Sequence, residues 1–96
     1  MKPHFIYILT NKVNGTLYVG MTENLARRVS EHKAGLAEGF TKKYGCRLLV
    51  YYEVADDFES ALRREKTIKK WSRQWKLNVI NEMNPAWDDL YDSILQ

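Results

Sequence analysis

Two apolar segments near the N-terminus have the composition of β-strands. Residues 4–10 (HFIYILT) and 16–20 (TLYVG) are rich in the β-branched and aromatic side chains that are enriched in strands. The dipeptide Asn14-Gly15 lies between them. Because Asn-Gly between two such segments is the strongest short-range hairpin signal, the pattern predicts two antiparallel strands joined by a tight turn.

The predicted hairpin places two tyrosines on one surface. A two-residue turn puts Tyr18 opposite Asn11 in the neighbouring strand. Since side chains alternate along a strand and cross-strand partners share a face, Tyr18 then lies on the same side as Tyr7. A β-bulge would reverse this relationship, because one inserted residue moves the following side chains to the other face.

The next segment has helical spacing. Thr22 is a candidate N-cap for a helix over residues 23–33, with an acidic residue in its first turn. Its apolar residues recur at helical intervals and define an inner stripe. Arg28 and His32, four residues apart, share the edge of that stripe, so we expect them to lie side by side.

The second half of the chain predicts one strand and further helices. Residues 47–54 (RLLVYYEV) are apolar on both faces, as in a well-covered strand. Asp56 and Glu59 form a capping-box pattern before a helix over residues 57–71. The remainder predicts one or two short helices broken at Asn84-Pro85. The order of elements is therefore ββαβα with a short helical C-terminal extension, which is an α+β fold.

Glu65 stands out on the second long helix. With Phe58 at zero on the helical wheel, at about 100° per residue, Ala61, Leu62 and Ile68 form an apolar stripe and Glu65 falls inside it. Burying an unpaired charge costs several kcal/mol, so Glu65 needs a cation, a polar partner or water. Lys69 is one candidate, since it follows Glu65 by four residues; a bound metal ion is the other.

Length and composition limit the organisation of the chain. Ninety-six residues make one domain, and 45% apolar residues are enough for a hydrophobic core. We expect a single domain over residues 1–96, with a core of about 3–80 and a helical extension of about 81–96. The longest apolar run, residues 48–52, is far below the ~20 residues of a membrane-spanning helix. The N-terminus has no secretory-signal pattern, so we expect a cytoplasmic protein.

The positive charge is concentrated in one segment. The formal net charge is only +3, which permits an anionic partner without requiring one. Residues 63–76 contain seven basic residues and one acid, and two tryptophans lie among them. This composition suits a phosphate backbone, and it equally suits a solvated helix face with core tryptophans.

These motifs, taken in order, resemble those of the GIY-YIG nuclease superfamily. The resemblance rests on Ile6-Tyr7, then ten residues, Tyr18-Val19-Gly20, Arg28 with His32, and Glu65 on a later helix. The segments IKKWSRQWK and NPAW look like those of small stand-alone bacterial members. The resemblance covers nearly the whole chain, and it implies a small three-stranded antiparallel sheet flanked by helices.

The chain departs from the family pattern at the first triplet. Phe5 replaces the glycine of that triplet, and Val19 replaces the isoleucine of the second. Both tyrosines and the second glycine are kept, so the substitutions suggest altered packing rather than lost chemistry. The family also tends to have a late asparagine near its metal site, for which Asn81 and Asn84 are both candidates.

The resemblance implies hydrolysis of a nucleic-acid phosphodiester with one divalent cation, Mg²⁺ or Mn²⁺. Glu65 would supply a carboxylate oxygen to that ion. Arg28 would stabilise the transition state through paired, charge-assisted hydrogen bonds. Tyr18 would lie beside the attacking water as a general base or a relay, and Tyr7 would orient the water or the phosphate. His32 would assist proton transfer or contact the phosphate.

Three functions remain open from the sequence. The first is a metal-dependent endonuclease that acts on DNA, with branched, nicked or damaged forms in repair or recombination as candidate substrates. The second is a nucleic-acid-binding module with weak or no cleavage. The third is an adaptor recruited to repair machinery through Trp71, Trp75 and the acidic C-terminal segment, residues 82–96, which contains four acidic residues and no Lys or Arg. Target selection must come from this domain, an oligomer or a partner protein. The predicted DNA contacts are Arg28, Lys42, Lys43, Arg63, Lys66, Lys69, Lys70 and Arg73.

Overall fold

A computed structural model describes residues 2–37 and 39–95 of the chain. Within these ranges the chain forms three strands and five helices. Their bounds, in chain order, are β1 His4–Thr10, β2 Leu17–Thr22, α1 Leu25–Lys33, α2 Phe40–Tyr44, β3 Leu48–Ala55, α3 Phe58–Lys70, α4 Arg73–Met83 and α5 Tyr91–Ile94. The predicted α+β class is confirmed, and the predicted long elements are present.

The strands form one antiparallel sheet in the order β2-β1-β3. The central position of β1 explains why this segment is apolar. Its residues Ile6, Tyr7, Ile8 and Leu9 are all at most 1% exposed. A strand with neighbours on both edges and helices on both faces is shielded from solvent, which favours apolar side chains. The three-stranded antiparallel sheet implied by the resemblance is confirmed.

The connection between β1 and β2 is longer than the sequence predicts. Tyr18 pairs with Leu9, not with Asn11, so the register differs by two residues. Asn14 adopts a positive φ of 57°, and the Asn11 Oδ1 atom accepts a hydrogen bond from the Thr16 N–H at 2.9 Å. This side-chain hydrogen bond stabilises a loop that is longer than a two-residue turn. Because a shift of two preserves the alternation, the two tyrosines still share one face.

Helices cover both faces of the sheet. On one face, α3 and α4 pack against β1 through a core of Ile6, Ile8, Val19, Val50, Ala61, Ile68, Ile80 and Trp87. On the other face, α1 packs against a second core of Tyr7, Leu9, Leu25, Val29, Cys46 and Leu49. The tyrosine face of the hairpin is therefore the face that α1 covers.

Two predicted helix caps are wrong by a residue or two. Asn24, not Thr22, caps α1, and its Oδ1 accepts a hydrogen bond from the N–H three residues later at 3.1 Å. Asp57, not Asp56, caps α3, because its carboxylate accepts the Ser60 N–H at 2.8 Å. In both places several polar residues are adjacent, and the backbone geometry selects one of them.

The C-terminal segment folds back onto the sheet. Asn84, 5% exposed, donates hydrogen bonds to the carbonyls of Val50 and Asp88, which fixes the break between α4 and α5. The Leu90 N–H donates to the Leu49 carbonyl at 2.8 Å. Among the residues that the structure describes, no helix combines the length and apolarity needed to cross a bilayer.

Candidate active site

Tyr7 and Tyr18 lie side by side above Gly20. Tyr7 pairs with Gly20 across the β1–β2 ladder, and the two tyrosine rings are 6.3 Å apart. A Cβ atom at position 20 would lie 2.5 Å from the Tyr7 hydroxyl oxygen and 3.0 Å from the Tyr18 ring. These distances are below van der Waals contact, so only glycine leaves room for the Tyr7 ring to lie across β2.

His32 joins this pair from α1. Its ring is 4% exposed and lies 5.9 Å from the Tyr7 ring and 5.7 Å from the Tyr18 ring. The His32 Nε2 atom is 3.1 Å from the Tyr7 hydroxyl oxygen, and the Nδ1 atom is 2.9 Å from the Thr41 hydroxyl oxygen. Both ring nitrogens of a buried histidine are therefore occupied.

The protons in this cluster have a preferred arrangement. Burial lowers the pKa of His32, and the nearby Arg28 charge lowers it further, so the neutral ring is favoured. Burial raises the pKa of Tyr7 to about 12, which keeps its hydroxyl protonated. A hydroxyl that is 1% exposed needs an acceptor, and His32 Nε2 provides one. The His32 Nδ1 atom then carries the ring proton and donates a hydrogen bond to the Thr41 hydroxyl oxygen.

Arg28 lies at the open side of this cluster. Its interaction with the Tyr7 hydroxyl is the largest cause that raises the pKa of the guanidinium. The Arg28 Nη1 atom also donates a hydrogen bond to Glu31 at 3.2 Å. With 41% of its side chain exposed, Arg28 presents charge to solvent from a position fixed on two sides.

Tyr18 is the more accessible of the two phenols. It is half-buried, whereas Tyr7 is 1% exposed. Its outer side stacks on Phe40 at 6.1 Å with an interplanar angle of 28°. A half-buried phenol whose ring lies beside Tyr7 and His32 is a candidate to contact a bound phosphate or water.

Glu65 approaches from the other layer. It lies on α3, which packs on the opposite face of the sheet, and its carboxylate raises the pKa of Tyr7. Its side chain is 15% exposed and pairs with Lys69 at 3.5 Å, so the predicted ion pair forms. Phe58 is 51% exposed, and the buried stripe centres on Ala61 and Ile68. Glu65 therefore lies at the border of that stripe, where a partly exposed carboxylate is tolerated.

The donor set fits a weakly held divalent ion. Residues 2–37 and 39–95 contain no cluster of three or more His, Cys, Asp or Glu side chains arranged for a metal. Glu65 is thus a single carboxylate, paired with Lys69 and near enough to Tyr7 to raise the pKa of that phenol. Mg²⁺ is commonly held by one or two carboxylates with water and substrate phosphate completing its shell. A single buried-edge carboxylate is compatible with that mode and incompatible with an all-protein metal cage.

The predicted DNA-contact residues lie in four places. Arg28 is in the tyrosine cluster, and Lys69 lines a shallow groove of about 260 Å³ together with Tyr18, Phe40 and Lys76. Arg73 donates hydrogen bonds of 2.7 Å to the carbonyls of Asn14 and Gly15 in the hairpin loop. The others are exposed side chains on α2 and α3: Lys42, Lys43, Arg63, Lys66 and Lys70.

Several residues of the site have no clear signal in the sequence. Thr41 and Phe40 lie on α2, a five-residue helix. They reach the site only because the loop after α1 folds back over it. Both candidate asparagines support the C-terminal turn: Asn84 is bonded as described above, and the Asn81 Oδ1 atom accepts the Trp87 indole N–H at 2.7 Å.

Comparison with known proteins shows the family to which this chain belongs. A model of the GIY-YIG catalytic domain matches residues 3–78. A UPF0213 protein of Staphylococcus haemolyticus is 42% identical over 82 residues, which are 85% of this chain and 99% of the relative. One of Staphylococcus saprophyticus is 40% identical over the same shares. The solution NMR structure of a UPF0213 protein from Bacillus halodurans has a TM-score of 0.57 and 29% identity, and the match covers 91% of this chain and 92% of that one. The chain therefore belongs to the GIY-YIG family, a superfamily of nucleases.

Proposed function

We propose that this protein is an endonuclease that hydrolyses DNA phosphodiester bonds with the help of one divalent cation, Mg²⁺ or Mn²⁺. The observation that carries the proposal is the cluster of Tyr7, Tyr18, Arg28 and His32. Tyr7, His32 and Arg28 form a polar network that joins β1 to α1, and the Tyr18 ring of β2 packs beside it. A packing role alone does not require a buried tyrosine and histidine to converge with a partly exposed arginine.

Within this proposal, Arg28 binds the scissile phosphate and stabilises the charge that grows on its oxygens. A guanidinium offers two parallel N–H groups to phosphate, which lysine does not. Its contact with Tyr7 and its bond to Glu31 hold that fork in place before the substrate arrives. Such preorganised charge is worth most in a site that excludes bulk water.

The two tyrosines have different roles. Tyr7 keeps its proton, since burial raises its pKa to about 12, and its bond to His32 fixes its orientation. It therefore orients the phosphate or the attacking water. Tyr18 is more exposed and is the group we assign to hydrogen-bond the attacking water and relay its proton. His32 holds Tyr7 in place and contributes an acceptor nitrogen to the same network.

Glu65 is the residue that would hold the cation. Its side chain is mostly shielded and pairs with the half-exposed Lys69, so a bound cation would take the place of the lysine as the charge partner of this carboxylate. When bound, the ion supplies Lewis-acid stabilisation of phosphate charge and lowers the pKa of a coordinated water.

Cleavage assays on several DNA forms test this proposal. The wild-type protein is incubated with plasmid, single-stranded and branched DNA, in Mg²⁺, in Mn²⁺ and in chelator. Arg28→Ala and Glu65→Ala are the test variants, and Glu59→Ala on the exposed first turn of α3 is the matched control. We expect metal-dependent cleavage that both test variants reduce at least about 100-fold and the control keeps. Cleavage that survives both substitutions contradicts the site assignment.

DNA binding without cleavage is the second candidate, and the exposed lysines of α2 and α3 favour it. In that case the assay shows no cleavage, while DNA affinity falls steeply with salt because phosphate contacts release counterions. A role in repair or recombination, with a partner protein that selects the target, belongs to either candidate. An adaptor role through the acidic C-terminal segment has less support, because Asp89 is already paired with Lys33 and bonded to the Leu49 N–H.

A further inference from the structure

Three aromatic rings form a continuous step from the candidate active site to the protein surface. Tyr18 stacks on Phe40 at 6.1 Å, and Phe40 lies 4.6 Å from Tyr44. The side chains of Phe40 and Tyr44 are 43% and 44% exposed. We call these three rings the aromatic step. Tyr18 packs against the second core, whereas Phe40 and Tyr44 belong to neither core and extend the rings into solvent.

The aromatic step is fixed relative to the site. Phe40 and Tyr44 belong to α2, whose second residue, Thr41, is 4% exposed and contacts His32 at 2.9 Å. The helix ends at Gly45, which has a positive φ of 67°, and the N–H of the fully buried Cys46 donates to the Thr41 carbonyl. The helix is therefore anchored inward at two points while its aromatic side chains face outward.

Positive charge surrounds the rings. The Lys43 Nζ atom lies 5.3 Å from the centre of the Tyr44 ring. Lys69 and Lys76 line the groove of about 260 Å³ that Tyr18 and Phe40 border. Proteins bind single nucleic-acid strands by stacking the bases on aromatic rings and by pairing the phosphates with cations.

We infer that the aromatic step is a stacking subsite for an unpaired base of the DNA strand whose phosphate lies at Arg28. This inference rests on the proposed nuclease function. A ring face can stack only on an uncovered base face, and inside a duplex both faces of each base are covered by neighbours. The lysines beside the step suit the phosphates of the same strand. This domain therefore favours single-stranded or locally unpaired DNA.

A binding experiment without cleavage tests the inference separately from catalysis. Affinity is measured in chelator for a short single strand and for the duplex of the same sequence, with wild type, Phe40→Ala and Tyr44→Ala. The matched control is Phe58→Ala, which removes an exposed ring from the start of α3. Thermal unfolding of each variant verifies that the fold is kept.

We expect Phe40→Ala to weaken single-strand binding roughly tenfold and duplex binding less than about twofold. The slope of log affinity against log salt stays unchanged, because no phosphate contact is lost. A single strand with 2-aminopurine should lose fluorescence when it binds wild type, and Phe40→Ala should abolish this quenching. Phe58→Ala should behave as wild type.

Three outcomes overturn the inference. In the first, Phe40→Ala loses affinity equally for the single strand and the duplex. In the second, Phe40→Ala loses affinity for neither. In the third, the wild-type protein does not bind single strands. A self-association of wild type that Phe40→Ala abolishes, with single-strand affinity unchanged, would assign the step to a second copy of this chain. If binding follows our expectation but wild type never cleaves DNA, the nuclease proposal fails and the subsite stands.

Discussion

The Tyr7 hydroxyl is the point at which the individual residues of the site depend on one another. It contacts Arg28 and His32, and it lies above Gly20 where a side chain would displace it. Its buried position keeps it protonated, so its value lies in geometry rather than in proton abstraction. Substitutions around it should therefore alter the orientation of neighbours as well as stability.

Gly20→Ala should displace the Tyr7 ring. The new Cβ atom would lie 2.5 Å from the ring, and overpacking of this kind costs about 1–3 kcal/mol of unfolding free energy. We expect lower stability in urea unfolding together with loss of cleavage. Gly35→Ala is the control: its φ of 73° is unfavourable for alanine, but nothing lies within 4 Å, so stability should fall and cleavage remain. Full cleavage by Gly20→Ala would contradict the assigned geometry.

Thr41→Val should release the His32 ring from its fixed tautomer. The valine keeps the shape and removes the oxygen that the Nδ1 atom contacts at 2.9 Å. An unsatisfied buried donor costs about 1–3 kcal/mol, so both stability and the cleavage rate should fall. The ¹⁵N chemical shifts of His32 report the tautomer directly. Thr41→Ser should restore the wild-type shifts, and unchanged shifts in Thr41→Val would show that the hydroxyl does not position the ring.

His32 should make stability depend on pH. Burial and Arg28 lower its pKa in the folded state, while the unfolded chain has the ordinary value of about 6.5. Below that pH the unfolded chain binds more protons, so the free energy of unfolding decreases as pH falls from about 7 to 5. His32→Gln should reduce this slope, measured by urea unfolding. Equal slopes in wild type and His32→Gln would rule the effect out.

At the scale of elements, periodicity and turn chemistry predict most of the structure. The strands and the two long helices match their predicted segments because each has an apolar face that one sheet must bury. The strand register and the helix caps differ from the predicted ones, because Asn11 and Asn24 form local side-chain hydrogen bonds that hydrophobic periodicity does not predict. The role of Thr41 is not predictable from a pattern, because its contact with His32 depends on the path of the intervening loop.

Arg73 connects two elements and should affect stability more than DNA affinity. Its guanidinium bonds two carbonyls of the hairpin loop and thereby joins the start of α4 to the β1–β2 connection. Arg73→Ala should lower the free energy of unfolding by about 1 kcal/mol, discounted for the exposure of the side chain. Lys70→Ala is the contrast, with unchanged stability and a smaller dependence of DNA affinity on salt. If Arg73→Ala instead leaves the free energy of unfolding unchanged and reduces the salt dependence of DNA affinity, Arg73 is a phosphate contact.

At the scale of the whole molecule, five residues that are far apart in the sequence define one candidate site. Four converge on the face that α1 covers, and Glu65 acts from the opposite layer through its charge. The sequence predicts the order of these residues along the chain. The antiparallel hairpin brings Tyr7 and Tyr18 together, and α1 carries Arg28 and His32 to the same face of the sheet. Their contacts with α2 were not visible, although those contacts supply both the support of His32 and the exposed rings beside Tyr18.

The single-turnover cleavage rate of Glu65→Gln in Mg²⁺ tests the central claim most directly. Glutamine keeps the size of the side chain and removes the charge that would hold the cation, so folding should persist while the rate falls to the level seen in chelator. Glu59→Gln, on the exposed first turn of the same helix, should cleave as fast as wild type. Cleavage by Glu65→Gln at the wild-type rate would contradict the proposal that this carboxylate serves a metal-dependent nuclease site.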